Sequence, residues 1–256
     1  MHAVLILQVL LITLPFKNTA AEPSGKKRIP VSLDISGHVP ARIRALSSTE
    51  FPGGIHYTAI HGCSNTHIVG TVSDAGEHII GSDPDAMSRY VLVVYKEDGS
   101  KYVRVTTRYR RNSHIFQTKI MEFKTIPLDP HYAQVHRLSV ELNIMDNTHN
   151  RYIKVETVDD PNGRPSNIKK FTIKKNVFDQ VIIGVVRYGK HQIDDKTFGL
   201  VSKKVIWNGN TDYPKISIES LHKNGSQYKI DYVPCEELTK GFCIAKMEKR
   251  LLNLIG

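Results

Sequence analysis

The sequence predicts an all-β protein, mainly antiparallel, with two tandem homologous β-sandwich-like units and a short C-terminal helix. Three observations carry this prediction. Apolar residues alternate with period two, turn residues separate the alternating runs, and strand motifs of the first half return in the second half. The composition is that of a folded globular chain, with 40% hydrophobic and 23% charged residues.

Alternation is clearest in YVRVTTRY, Tyr102 to Tyr109. The two faces of this strand carry, respectively, Val103, Val105 and Thr107, and Arg104, Thr106 and Arg108. Antiparallel sheets with one face on a core and the other in water have this pattern, so the second set is expected in water. The apolar runs around Asp98-Gly99 predict a β-hairpin over Arg89 to Val105.

Strand motifs recur in the second half of the chain. VSLDI at Val31 returns as VELNI at Val140, and HIVGTV at His67 returns as VIIGVV at Val181. HIIG at His78 matches KVIW at Lys204. The hairpin with GSKY at Gly99 matches a second alternating strand followed by GSQY at Gly225. The matches predict one unit from Ile29 to Leu128 and a second from Val135 to Val233, joined near TIPLDP, Thr125 to Pro130. The spacing between matches grows along the chain, which predicts insertions in loops of the second copy.

Residues 236–256 are predicted to form a loop followed by a helix. Within IAKMEKRLLNL, the apolar residues Ile244, Met247, Leu251 and Leu254 fall on one helical stripe. We expect this helix to pack against the second unit, with a membrane-lying role as the alternative.

The sequence contains three cysteines, Cys63, Cys235 and Cys243. Cys235 and Cys243 close a short loop and form the expected disulfide, although the spacing does not fix the connectivity. Cys63 would then be free or bridged to another chain.

The N-terminus, residues 1–21, resembles a cleaved secretory signal. An apolar core from Ala3 to Leu14 precedes Pro15 and small residues, with Thr19 and Ala21 at the positions that a signal peptidase inspects. The run is too short for a bilayer span, and no second stretch of about twenty apolar residues follows. We therefore expect a secreted protein without a membrane span.

Several of these motifs together resemble the FAINT domain ("frequently associated in Theileria") of secreted piroplasm proteins. The resemblance rests on VSLDI at Val31, VELNI at Val140, GIHYT at Gly54, the two IVGTV-like strands and Val205-Ile206-Trp207. The first unit departs from it, with Ile80-Gly81 where the family tends to have Ile-Trp. The resemblance implies a β-rich module, exported by the parasite and directed at a host protein or surface, without catalytic residues to transfer.

Basic strands with interleaved aromatic residues make up the candidate polyanion site. Its members are Arg104, Arg108, Arg110, Arg111, Lys169, Lys170, Lys174 and Lys175, in a chain of formal net charge +10. Such stripes can bind a sulfated glycan, and a secretory signal argues against a nucleic-acid partner. The alternative is that these charges only line the solvent face of strands and protect sheet edges.

No metal, cofactor or catalytic site is expected. His56, His61, Cys63 and His67 are possible zinc ligands, but their spacing fits no zinc motif. The sequence contains no nucleophile elbow, zinc-protease motif, phosphate loop or dinucleotide fingerprint. The acidic pairs Asp83/Asp85 and Asp194-Asp195 are interpreted as solvated loop residues.

These observations favour a secreted, non-enzymatic interaction protein that binds a host protein or surface. A polyanion-binding adhesin is the second hypothesis. A secreted hydrolase with a site assembled from distant residues is the remote third, because catalytic triads do not require a local motif.

Overall fold

The computed structural model describes residues 27–110, 115–146, 150–159, 166–236 and 241–252. These residues form β-strands and one short 3₁₀ turn at His61–Cys63, which confirms the all-β prediction. The signal segment Met1 to Ala21 and the candidate Arg111 lie outside the described residues.

The described residues of the first unit form nine strands in two sheets. They are β1 (Ile29–Asp34), β2 (Ile43–Ser47), β3 (Ile55–Ala59), β4 (His67–Asp74), β5 (Glu77–Ile80), β6 (Ala86–Tyr95), β7 (Lys101–Arg110), β8 (Phe116–Ile126) and β9 (Asp129–Gln134). A three-stranded sheet of order β1-β4-β5 packs on a six-stranded sheet of order β2-β3-β6-β7-β8-β9.

The second unit repeats this plan. Its strands are β10 (Leu138–Asn143), β11 (Ile153–Val158), β12 (Ile168–Ile173), β13 (Val181–Tyr188), β14 (His191–Asp194), β15 (Leu200–Trp207), β16 (Ile216–His222), β17 (Ser226–Pro234) and β18 (Phe242–Leu251). The sheet orders are β10-β13-β14 and β11-β12-β15-β16-β17-β18, so each strand takes the place of the strand nine earlier. The prediction of two similar β-units is confirmed.

Even the irregularities are duplicated. β1 pairs with β4 in parallel, and the register shifts between Val31 and Leu33. β10 pairs with β13 in parallel, and the register shifts between Val140 and Leu142. A conserved bulge position within an otherwise antiparallel fold is strong evidence that the two units share one design.

Each unit buries its own core between its two sheets. Leu33, Val72, Val91 and Val105 are buried in the first unit, and Leu142, Val186, Val205 and Ile218 are buried at the equivalent positions of the second. Burying each such side chain stabilises the fold by roughly 1.5–3 kcal/mol. The period-two alternation therefore identified the core-facing residues correctly.

The predicted C-terminal helix is wrong, because this segment is strand β18. Met247 lies opposite Ile230 of β17, and Ile244 lies opposite Tyr232, with a bulge between Asp231 and Tyr232. The bulge places Ile244 and Met247 on the same face although they are three residues apart. A bulged strand thus imitates the apolar spacing of a helix.

The predicted unit boundaries also stop one strand early. Each unit ends with an edge strand, β9 or β18, that lies beyond Leu128 or Val233. TIPLDP holds the turn between β8 and β9, where Ile126 pairs with Asp129, and the connection between the units is the segment after Gln134.

Two of the four sequence matches connect equivalent strands, namely those of β1 with β10 and of β4 with β13. HIIG and KVIW match β5 with β15, and the hairpin β6–β7 matches β16–β17, so both are displaced by one strand. Short alternating strands resemble one another, and only the pairing pattern resolves which ones are equivalent.

Candidate functional site: the cleft between the two units

The outer face of the first unit's large sheet packs against the second unit. Phe178, in the turn before β13, stacks against Phe51 and Tyr102 with ring centroids 4.6 and 4.7 Å apart. Leu92, Val94 and Val135 complete this cluster. The face predicted to lie in water is therefore an interface between units, and period-two alternation cannot tell the two environments apart.

Arg104 is consequently buried, which contradicts its prediction as a solvent-facing polyanion ligand. Its Nε donates to the hydroxyl of Tyr102 at 2.9 Å, and its Nη1 donates to Glu50 at 3.3 Å. The Tyr102 hydroxyl in turn donates to Glu122, which also accepts two hydrogen bonds from Arg137 at 2.7 and 2.9 Å. The arginine belongs to a closed hydrogen-bonded network.

The charges of this network are stable at neutral pH. Burial alone would raise the pKa of the Glu122 carboxyl, but the hydrogen bonds and charge of Arg137 hold that pKa below its ordinary value. Burial raises the pKa of Tyr102. Glu122 therefore stays ionised and Tyr102 stays protonated between the units, as a buried charge with its partners requires.

Further contacts hold the two units together. The buried carboxylate of Asp179 forms ion pairs with the Lys96 Nζ at 3.0 Å and with the Lys124 Nζ at 3.6 Å. The backbone N–H of Ile120 donates to the carbonyl of Lys223 at 2.7 Å. Lys223 belongs to the turn between β16 and β17, so this hairpin docks on β8 of the first unit.

A cleft of about 890 Å³ opens beside this interface. One wall is the segment around Glu50, Phe51 and Arg104, and the other is the outer face of the second unit's six-stranded sheet. Its size is in the range of small-molecule sites.

Charged side chains cross the sheet wall of the cleft in rows. Glu219 binds Lys204 at 2.5 Å and Lys229 at 3.9 Å, and Glu156 binds Lys154 at 2.6 Å and Lys170 at 3.2 Å. We name these two clusters, together with Glu248 and Arg250, the charge ladder. Each of the first two glutamates is shared by two lysines, so the ladder carries an excess of positive charge.

The sequence-predicted basic residues separate into different environments. Lys170 and Lys175 line the cleft with Arg104. Lys169 lies on the other face of β12, with its ammonium 5.5 Å from the Trp207 ring. The remaining described candidates lie elsewhere: Arg108 is half-buried over Phe116, Arg110 is exposed at the end of β7, and Lys174 is exposed after β12.

Strand geometry explains this separation. Adjacent residues of a strand point to opposite faces, so Lys169 and Lys170 cannot share one binding surface. The seven candidates among the described residues therefore do not form one surface. The cleft residues Lys204, Glu219 and Lys229 were missed, since single charges on alternating strands give no signal until the strands are ordered in a sheet.

The disulfide between Cys235 and Cys243 is present, with Cα atoms 5.1 Å apart, and it ties the start of β18 to the end of β17. Cys63 is a half-buried free thiol. The pairing expected from the short loop agrees with the strand geometry.

The other candidates take structural roles. His67 is bonded to Arg42 and to the Thr66 hydroxyl, and within the described residues no group of three His, Cys, Asp or Glu side chains is arranged to hold a metal. Asp194 is buried and paired with Lys203 at 2.6 Å, so its interpretation as a solvated loop residue is wrong. The described part of the chain includes no helix that could cross a membrane.

The fold and the cleft define a protein of two packed β-sandwich units with a charged groove between them. Comparison with protein-family models, with curated proteins and with solved structures gave no match in any of the three.

Proposed function

We propose that this chain is a secreted, non-enzymatic binding protein that holds an acidic segment of a host protein in the cleft between its units. The observation that carries the proposal is the charge ladder, which lines an open cleft and has more basic than acidic groups. The signal-like N-terminus and the resemblance to FAINT modules support export from a piroplasm parasite toward its host.

The chemistry of the cleft favours recognition over catalysis. Its charged groups engage one another across neighbouring strands, as in the Lys204–Glu219 pair, and its lining includes no histidine among the described residues. A bound acidic segment would compete with Glu219 and Glu156 for their lysines. Such exchange of ion pairs gives specificity and fast association.

Capture from host plasma and host-cell lysate tests the proposal. The mature chain is compared with a triple variant of the cleft, Lys170→Glu, Lys204→Glu and Lys229→Glu. The control carries the same charge change at exposed positions that do not line the cleft, Lys174→Glu, Lys190→Glu and Lys196→Glu. We expect one host protein to be retained by the wild type and the control and to be lost from the cleft variant. Equal retention by both variants, or no retained protein, would overturn the proposal.

Polyanion binding is the second candidate, favoured by the excess of cations in the cleft. The same three proteins are eluted from a heparin column with a salt gradient. If the cleft binds the glycan, the cleft variant should elute at a lower salt concentration than the control variant. The reason is that only the cleft variant has lost lysines that contact sulfate groups. Co-elution of the two variants, which have equal net charge, would exclude a glycan site in the cleft.

A further inference from the structure

Strand β18 presents an open edge. It is the last strand of the second unit's six-stranded sheet and runs from Phe242 to Leu251 without glycine or proline. Among the described residues, only β17 pairs with it. A long edge with unpaired backbone groups is a template for another strand.

The equivalent edge of the first unit is protected. Strand β9 spans only Asp129–Gln134, contains Pro130, and has an irregular register between Lys124 and Ile126. Short length, proline and a bulge are the usual devices that prevent edge pairing. The edge strand of the second unit is longer and contains no proline, and its single bulge lies near one end, opposite Tyr232.

The open edge also exposes apolar side chains. Met247 is 59% exposed and Leu251 is 50% exposed, although both lie on the core-facing side of the strand. Lys246 and Glu248 lie on the opposite side, with Glu248 in the charge ladder.

The hydrogen-bond pattern shows which backbone groups are open. The N–H of Leu252 donates to the carbonyl of Gly225 at 2.8 Å, so Leu252 directs its backbone groups toward β17. Because antiparallel ladders alternate, Arg250, Glu248 and Lys246 also point toward β17. Met247 and Lys249 therefore direct their N–H and C=O groups away from the sheet.

We propose that a second copy of this chain pairs with β18 through its own β18, antiparallel, with the two-fold axis at Met247. In this register Met247 faces itself, and Lys246 faces the partner's Glu248 on both sides of the axis. Opposite charges directly across from each other stabilise such pairs, and this register places no like charges together. A register centred on Lys249 would instead set two lysines against each other.

The charges of β18 therefore favour a second copy of β18 in the register centred on Met247 over a register that sets lysines opposite each other. Lysines on an edge strand normally discourage pairing, but here the strand carries its own complement two residues away. Leu252, which packs near Ile120 of the first unit, lies at the margin of the paired segment. The first unit thus leaves the centre of β18 accessible.

Pairing of this kind would join the two large sheets into one and place both charge ladders on the same side. A two-fold axis perpendicular to the sheet keeps the outer faces together. The dimer would then offer two clefts to one surface, which increases binding through effective concentration rather than through new contacts.

Sedimentation equilibrium of the mature chain tests the dimer, with Lys246→Glu and Glu248→Lys as single variants. Each single change sets like charges opposite each other at both symmetric pairs, so we expect the dimer Kd to rise about tenfold or more. The double variant Lys246→Glu with Glu248→Lys restores complementarity and should return to near the wild-type Kd. Lys174→Glu, an exposed position after β12 near the opposite edge of the sheet, controls for net charge.

A proline variant provides an independent check. Lys249→Pro removes an N–H that points away from β17, so the internal ladder keeps its bonds while edge pairing is blocked. Its circular dichroism should match the wild type, and it should sediment as a monomer. A wild-type monomer at all accessible concentrations, or a double variant that stays as weak as the single ones, would overturn the proposal.

Discussion

The outer faces of the two large sheets lie in different environments although the sheets have the same strand order. In the first unit this face carries Leu92, Tyr102, Arg104 and Glu122, all buried. In the second unit it carries the charge ladder and stays open to the cleft. Duplication therefore supplied one face for joining the units and one face for a partner.

A second comparison concerns a buried cation that both units share. Arg89 on β6 and Lys203 on β15 each precede a core valine by two residues, Val91 and Val205, which hold equivalent places. Arg89 donates to the Gly70 carbonyl at 2.6 Å, and Lys203 donates to the Gly184 carbonyl at 2.6 Å. The position requires a cation that bridges the two sheets.

The partners of the two cations differ. Arg89 also binds the Gly81 carbonyl and the Thr107 hydroxyl, which are neutral acceptors. Lys203 binds the carboxylate of Asp194, which is itself buried. The same architectural role is thus filled by a guanidinium with neutral acceptors in one unit and by an ion pair in the other.

Replacing Lys203 should have the largest effect on stability. Lys203→Met leaves the Asp194 carboxylate buried without a cation, so we expect a loss of about 3–5 kcal/mol in the free energy of unfolding. Trp207 is the only tryptophan and lies in the second core, so its fluorescence in a urea titration reports this unit. The matched Arg89→Met leaves only neutral groups unpaired and should cost about 1–3 kcal/mol, read by far-UV circular dichroism. Equal losses at the two positions would show that the carboxylate does not matter.

The buried network between the units comes next. Glu122→Gln keeps the shape but removes the charge that Arg137 binds, and we expect a loss of about 1.5–3 kcal/mol. Separate unfolding of the two units, seen as a split between fluorescence and circular dichroism, would accompany this loss.

The pH dependence follows from the lowered pKa of Glu122. Because its folded pKa lies below the unfolded value of about 4.3, its stabilisation is present above that pH and is lost as the pH falls through the folded pKa. Stability of the wild type should therefore drop more steeply in acid than that of Glu122→Gln. Parallel curves for the two proteins would contradict the assigned ion pair.

The docking hairpin gives a smaller effect with an internal control. Gly225 has φ +76°, and a Cβ there would lie 2.5 Å from the Thr118 side chain of the first unit. Gly99 has φ +80° with nothing within 4 Å. Gly99→Ala should cost about 1 kcal/mol for the left-handed backbone, and Gly225→Ala should cost about 1–2 kcal/mol. The nearest atom is the Thr118 Cβ, which alanine would retain, so the rescue uses Thr118→Gly. In the Thr118→Gly background the cost of Gly225→Ala in thermal unfolding should fall to that of Gly99→Ala, and a Gly225 cost no larger than the Gly99 cost in the wild-type background would argue against the contact.

The charge ladder should matter least for stability. Glu219→Gln loosens the partly exposed pairs with Lys204 and Lys229, and we expect a change of less than about 1 kcal/mol in urea unfolding. The same variant adds net positive charge to the cleft and should bind an acidic partner more tightly. A large loss of stability would mean that the ladder holds the sheet together.

Much of the fold could be predicted because the residues themselves carry the signal. Period-two alternation identified core residues such as Val103 and Val105, and the recurrence of VSLDI and VIIGVV revealed the duplication. The end of the chain could not be predicted in this way. There, the bulge opposite Tyr232 gave Ile244 and Met247 a helical spacing, and only pairing with β17 distinguishes the two structures.

The candidate site was predicted only in part, for a physical reason. Alternation assigns Arg104 and Lys170 to a face of a strand, but the occupant of that face lies far away in sequence. Arg104 is buried at the wall of the cleft by its contacts with Tyr102 and Glu50, while Lys170, on the opposite wall, is only half-buried.

By itself, then, the sequence determined the all-β class and the repeated unit, because both follow from patterns along the chain. The short loop between Cys235 and Cys243 favoured their disulfide without fixing it. Only the tertiary structure decided which sheet face became an interface and which one lines a cleft. It also decided that β18 is an open edge strand. Those outcomes depend on how two units of the same strand order pack, and packing brings together residues such as Phe51 and Phe178, which are too far apart in sequence to leave a local pattern.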